Sequence, residues 1–303
     1  MRHDLSYIAG IWPILYAFFD RREHLDRDAM RAQVKACLRH RPNGIAALGL
    51  ATEVAKLSTA ERHQIMEWMA EDVDAACPMA VTIAEATVEG QVGFARAAAR
   101  AGISWIILQP PPVAGLAEIE YIRFFGRVAD ASPLPVALQN APAYIGTALS
   151  VEGLKTLNRN HPNVALLKGE GPATEIAHLV DATEGSFRVL NGRGGLELPD
   201  NLRAGCVGMI PAPDCFDDQL KLYQAWTAGD EAGAEAIYAR IAPAIVFVMQ
   251  SIAHLLCYGK RITAMRLGMD MAEVHDRAPA QRPTEFGLSC ARRYAEALGP
   301  LSA

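Results

Sequence analysis

The sequence predicts an α/β protein, a (β/α)8 barrel of the TIM type with a C-terminal helical extension. Three observations predict it. Short apolar runs alternate with amphipathic helical stretches over most of the 303 residues, each unit takes about thirty residues, and eight such units can be counted. No GxGxxG follows the first run, as an open dinucleotide-binding sheet would require. After residue 228 the alternation stops, so the barrel is assigned to residues 1–228 and the helical extension to 229–303.

The first strand is read at IAGIWPILY (8–16), which ends on Tyr16. Its apolar stretch is too short to span a bilayer, and no small-residue cleavage site precedes the charged DRREHLDRD, so a signal peptide is not expected. A helix over 27–40 leads to GIAALG (44–49). Gly49-Leu50-Ala51-Thr52-Glu53 then turns the chain toward a helix over 58–75, whose start, Ser58-Thr59-Ala60-Glu61, has capping-box spacing. MAVTI (79–83) with a helix at 87–101, and SWIILQ (104–109) with a helix at 117–130, form the next units. PVALQ (135–139) is followed by a helix at 151–160 that Ser150 is placed to cap, and VALLK (164–168) by a helix at 174–184. FRVLN (187–191) runs into Gly192-Arg193-Gly194-Gly195 and a helix at 196–204; VGMI (207–210) precedes a helix at 216–228. The extension reads as three helical segments, DEAGAEAIYARIAPAIVFVMQSIAHLL, KRITAMRLGMDMAEV and PTEFGLSCARRYAEALG. Because AIVFVMQSIAHLL is apolar nearly all round, that helix is expected to be buried against something.

Composition narrows the function. With 51% hydrophobic residues, 21% charged residues and a net charge of −5, the chain reads as a soluble globular protein with ample core. No basic field exists to neutralise phosphates, so neither nucleic acid nor an anionic membrane is expected as a partner. Six cysteines without a CxxC suit reduced thiols and a cytoplasmic location, and eight histidines without HxH or HExxH give no metal site.

In such a barrel the active site lies at the C-terminal ends of the strands. Lys168 stands apart among the six lysines because it ends a strand whose preceding residues, VALL, are buried in any barrel. An ammonium beside apolar walls loses solvation, which favours a neutral amine able to attack a carbonyl and form a Schiff base. The competing reading is a lysine that snorkels to water or pairs with Glu170. The loop from Gly49 to Glu53 offers backbone N–H groups to a carboxylate, or is a plain βα turn. Arg193 either clamps an anion or is solvated on a tight glycine turn.

Three motifs, GLATE (49–53), LQNAP (138–142) and LLKGE (166–170), resemble in this order the marks of the dihydrodipicolinate synthase / N-acetylneuraminate lyase family of class I aldolases. Those marks are a GTTGE-like loop, a YNxP stretch and a Schiff-base lysine. The resemblance implies a barrel with a helical tail, no cofactor, and a homotetramer or homodimer. It implies that Lys168 forms an imine with a 2-oxo acid. The loop of Gly49, Leu50, Ala51, Thr52 and Glu53 is then expected to hold the carboxylate, and Glu53, Gln139, Asn140, Glu170, Arg193 and Ile210 to line the substrate end. The chain also departs from the pattern. The proton-relay tyrosine of YNxP is Gln139, which cannot exchange a proton at a useful pKa, and the two threonines of GTTGE are Leu50 and Ala51. The place of an arginine used by the synthase falls near Tyr144, and a PPP run (110–112) replaces its aromatics. Tyr16 and Tyr144 are therefore the candidates to supply a phenol. The expected activity is a Schiff-base lyase, aldolase or dehydratase, acting on a 2-oxo acid such as a 2-keto-3-deoxy sugar acid, and not dihydrodipicolinate synthesis. Its rivals are an oxo-acid-binding relative that has lost turnover, and a barrel enzyme using Glu53 or Glu170 as acid/base without a covalent step.

Overall fold

The computed structural model describes residues 4–113 and 115–301. Eight parallel strands form a single sheet in the order β1-β8-β7-β6-β5-β4-β3-β2. They are β1 Gly10–Ile11, β2 Ile45–Ala47, β3 Met79–Ile83, β4 Trp105–Leu108, β5 Val136–Gln139, β6 Val164–Lys168, β7 Arg188–Asn191 and β8 Gly208–Met209. The two ends of the sheet meet where Leu15 N donates to Ala46 O and Ala46 N to Pro13 O, each at 2.9 Å, which curls it into a barrel. Because helices cover the outside and side chains fill the inside, the strands read as continuous apolar runs rather than alternating ones. Trp12 and Trp105 belong to chain segments that are not neighbours in the sheet. They meet edge to face across the interior with ring centroids 5.2 Å apart.

The helices that return the chain are α1 Arg27–Arg39, α2 Thr59–Val73, α3 Val88–Arg100, α4 Glu118–Ala131, a short α5 Pro142–Ile145, α6 Val151–Asn160, α7 Ala173–Ala182, α8 Leu198–Arg203 and α9 Phe216–Thr227. Their starts follow local chemistry. Ser58 accepts from Glu61 N while the Glu61 carboxylate accepts from Ser58 N, the reciprocal box anticipated from the sequence, and Thr87 and Ser150 cap α3 and α6. The single turn α5 was not anticipated; Pro142 opens it, where a missing N–H costs nothing.

The extension comprises α10 Glu231–Val248, α11 Ile252–His254, a π turn at Leu255–Gly259, α12 Lys260–Arg266 and α13 Glu285–Leu298. Two boundaries correct the sequence reading: the helix read over KRITAMRLGMDMAEV ends at Arg266, and the long apolar segment breaks. The apolar run does not continue as one helix from 230 to 256: it breaks after Val248 and turns by 102°, and IAHLL joins KRITAMR instead. Ser251 caps the new start by accepting from His254 N at 3.0 Å. Among the described residues no single helix is long and apolar enough to cross a membrane.

Candidate active site

At the C-terminal mouth of the barrel a cavity is lined by Lys168 and Glu170 from the end of β6, Leu50 and Ala51 after β2, Ile210 and Ala212 after β8, and Tyr144 from α5. Arg193, Gly194 and three residues of the extension, Met249, Ile252 and Leu255, complete it. A larger groove at the opposite end of the barrel, near Pro135 and Asn163, contains none of the candidate site residues.

Lys168 and Glu170 are both buried, and Lys168 Nζ lies 2.8 Å from Glu170 Oε1. The pairing considered as an alternative to chemistry is thus present, yet the amine still faces the cavity. The other carboxylate oxygen accepts from Gln139 Nε2 at 2.7 Å, and Gln139 Oε1 accepts from Gln109 Nε2 at 2.9 Å. Gln91 in turn donates to the Gln109 backbone carbonyl at 3.0 Å. Strands β4, β5 and β6 therefore present a chain of side chains ending on the lysine nitrogen. Gln139 does not line the cavity; it aims Glu170. In the place where the family pattern has a phenol, the protein has an amide that orients a carboxylate.

The turn after β2 is held from behind. Thr52 Oγ1 donates to Leu15 O at 2.6 Å and accepts from Leu48 N at 2.9 Å, so the hydroxyl expected to face a carboxylate is spent on the backbone. Gly49 lies against Ile14, where a Cβ would fall 2.3 Å from Ile14 Cδ1. Glu53 points away from the cavity, to Lys56 at 2.5 Å and to the buried Lys260 of α12, which also faces Asp276 at 3.6 Å. Among the described residues the amides of Leu50 and Ala51 have no hydrogen-bond partner. Two free N–H groups beside a buried lysine suit a carboxylate.

Other candidate residues separate into those inside and those behind. Tyr144 lines the cavity. Tyr16 does not: its hydroxyl donates to Asp214 Oδ1 at 3.2 Å, and burial together with the Asp214 charge pushes it well above the usual phenol range. Asn140 is also turned away, exchanging two bonds with the backbone of Leu149 at 2.8 and 3.2 Å. Arg193 lines the mouth but is paired with Glu197 at 2.6 Å. Glu53, Glu170 and Arg193, at the ends of β2, β6 and β7, have positive φ values of 57°, 45° and 54°. Such backbone costs about 1–3 kcal/mol per residue and clusters where function holds a side chain in place.

Sequence reasoning missed that Met249, Ile252 and Leu255 reach the mouth. The turn at 249–251 brings them there, and the polar Gln250-Ser251 pair inside the apolar run was the one available signal. Gly194 (φ 62°) admits Met249: a Cβ there would sit 2.7 Å from Met249 Cγ and Sδ.

A model of the dihydrodipicolinate synthetase family matches residues 7–280. The chain belongs to this family. Its members are class I lyases, as the resemblance of the three motifs implied. The 4-hydroxy-tetrahydrodipicolinate synthase of Methanoculleus marisnigri is 28% identical, covering 77% of this chain and 81% of the relative. The L-2-keto-3-deoxyarabonate dehydratase of Azospirillum brasilense is 26% identical, covering 78% of each. Among solved structures, YagE of Escherichia coli K12, a prophage protein crystallised in complex with pyruvate, superposes with a TM-score of 0.86. It is 22% identical, covering 96% of this chain and 98% of that one. That likeness establishes the barrel with its helical tail.

Proposed function

We propose that this protein is a Schiff-base lyase that acts on a 2-oxo acid through an imine on Lys168, as an aldolase or a dehydratase. The observation that carries the reading is the buried Lys168–Glu170 pair facing the cavity, with Gln139 steering the carboxylate. Glu170 takes a proton from the lysine nitrogen, and the neutral amine attacks C2 of the oxo acid to form the C–N bond. The former carbonyl oxygen collects that proton from Glu170 and a second one from the attacking nitrogen and leaves as water, giving the protonated imine. The protonated imine then accepts the electron pair of a broken C3–C4 bond while the Glu170 carboxylate takes the C4 hydroxyl proton, which releases an aldehyde; in the dehydratase the same carboxylate takes a C3 proton and returns it to the C4 hydroxyl, which leaves as water. The substrate carboxylate lies on the amides of Leu50 and Ala51, and Tyr144 is the phenol available to the reacting carbons. The names of the relatives, a synthase and a dehydratase, support 2-oxo acid chemistry, and the pyruvate in YagE supports the same head group.

A second reading is favoured by one observation: Gln139 stands where a phenol would relay protons. On that reading the protein binds an oxo acid without turning it over. Borohydride reduction in the presence of pyruvate and other 2-oxo acids, followed by peptide mapping, separates the two. A reduced adduct on Lys168 together with aldehyde release or dehydration supports the lyase; binding that persists in Lys168→Ala without any adduct supports the binding protein. We also infer a homo-oligomer, for which the exposed Val113, Leu116 and Ile119 supply an apolar surface, and a cytoplasmic setting.

A further inference from the structure

We propose that the far end of the substrate, away from its oxo-acid head, is a hydrocarbon group rather than a polyol, seated on the wall that the C-terminal extension closes over the barrel mouth. The inference rests on the imine reading for the head group, and it concerns a different part of the cavity.

That wall is formed by Met249, Ile252 and Leu255, with Ile210 and Ala212 in the same lining. None of these side chains carries a donor or acceptor of useful strength. Among the described residues the polar side chains of the cavity are Lys168, Glu170, Tyr144 and Arg193, and three of them already have partners: Lys168 with Glu170, Glu170 with Gln139, and Arg193 with Glu197; the free amides of Leu50 and Ala51 belong to the head-group end. A chain of hydroxyl groups laid along the wall would exchange water for methyl and methylene groups and leave several donors unpaired. A branched aliphatic or aromatic end would instead remove apolar surface from water at both partners.

The wall is also fixed in place. The 102° turn after α10 aims Met249 at the mouth and sets Ile252 and Leu255, three residues apart, on one helical face. Met249 fills the space above Gly194, and buried Lys260 ties α12 to Glu53 behind the 49–53 turn. The extension cannot swing aside to admit a water-lined channel without breaking that buried pair.

A polyol has one other route, the adjoining groove lined by Asn140, Tyr144, Glu175 and Arg193. Asn140 is already committed to Leu149 there, which among the described residues leaves the Glu175 carboxylate and the Tyr144 hydroxyl without partners in that groove.

Two measurements on the full-length protein test the proposal. Titration of the wild type with 4-methyl-2-oxopentanoate and with 2-keto-3-deoxygluconate reads affinity without requiring an imine; the first is expected to bind at least tenfold tighter, and the reverse order overturns the proposal. The pyruvate enamine is then offered benzaldehyde, 3-methylbutanal and glyceraldehyde as acceptors. The hydrocarbon aldehydes are expected to lead in kcat/KM by at least tenfold, and Ile252→Asn to reduce that ratio by about tenfold, the scale of a changed pocket contact. A preference for glyceraldehyde that falls in Glu175→Gln and ignores Ile252→Asn would place the far end in the adjoining groove. Failure of borohydride and pyruvate to label Lys168 would sink the imine reading, while the affinity order would still decide the far end.

Discussion

Replacing Glu170 with glutamine keeps the size of the side chain and removes two things at once: a charge and one acceptor. In the wild type one carboxylate oxygen accepts from Lys168 Nζ at 2.8 Å and the other from Gln139 Nε2 at 2.7 Å. A glutamine offers one oxygen and one NH2 group, so with Gln139 and Gln109 in their present orientations one of those buried donors must face another donor. A neutral donor left unpaired costs about 1–3 kcal/mol, and a buried cation that loses its partner costs about 3–5 kcal/mol. Lys168 loses its counter-charge in either orientation of the new amide, so a loss of about 3 kcal/mol, the low end of that range, is expected. At about 2–4 °C per kcal/mol for a domain of this size, Tm should fall by roughly 6–12 °C. The chemical effect should be larger, because no other carboxylate contacts the lysine nitrogen among the described residues. Loss of a positioned proton carrier is worth about 10²–10⁴ in rate. Calorimetry gives the first quantity, and the initial rate of borohydride-trapped adduct formation with pyruvate gives the second. A Glu170→Gln protein that melts like the wild type and labels Lys168 at the wild-type rate would refute the role assigned to Glu170.

Further predictions concern the framework. Lys260→Met leaves buried Glu53 with Lys56 alone, and denaturant unfolding should show a loss of about 3–5 kcal/mol. Ser58→Ala removes one half of the α2 capping box and should cost about 1 kcal/mol in the same assay. Burial raises the Asp214 carboxyl to about 6 against the opposing pull of the Tyr16 hydroxyl and Arg266. Since the folded state holds this proton more tightly than the unfolded chain, the associated stability is full below about pH 4 and is lost as pH rises through about 6, a change of roughly 3 kcal/mol. Asp214→Asn should therefore show a smaller drop in unfolding free energy between pH 4 and pH 7.5 than the wild type; an identical drop would count against it.

The strands, the capping box at Ser58 and the position of Lys168 were legible because each is written in a short window: an apolar run, a Ser-x-x-Glu spacing, a lysine after VALL. Leu50, Ala51, Glu170, Arg193 and Ile210 were reachable for the same reason, since strand ends in a barrel converge on one mouth. What the sequence hid depends on packing between distant segments. Thr52, Glu53 and Asn140 sit beside cavity residues in the chain, but their side chains turn back to Leu15, Lys260 and Leu149. Tyr16 ends the first strand reading, yet its ring is directed at Asp214, close to Gly259 of the extension. Lys260 looked like an ordinary helical lysine and is fully buried, because its partner lies 207 residues away. The wall at Met249, Ile252 and Leu255 arises from a turn between helices that the apolar run conceals but for its Gln250-Ser251 pair.

The most direct test of the central claim is a crystal structure of the wild-type protein soaked with pyruvate. Continuous density from Lys168 Nζ to the pyruvyl C2, with the carboxylate on the amides of Leu50 and Ala51 and Glu170 still beside the nitrogen, is the result expected. Pyruvate absent from the mouth, or bound there without a bond to a lysine that remains paired with Glu170, would contradict it.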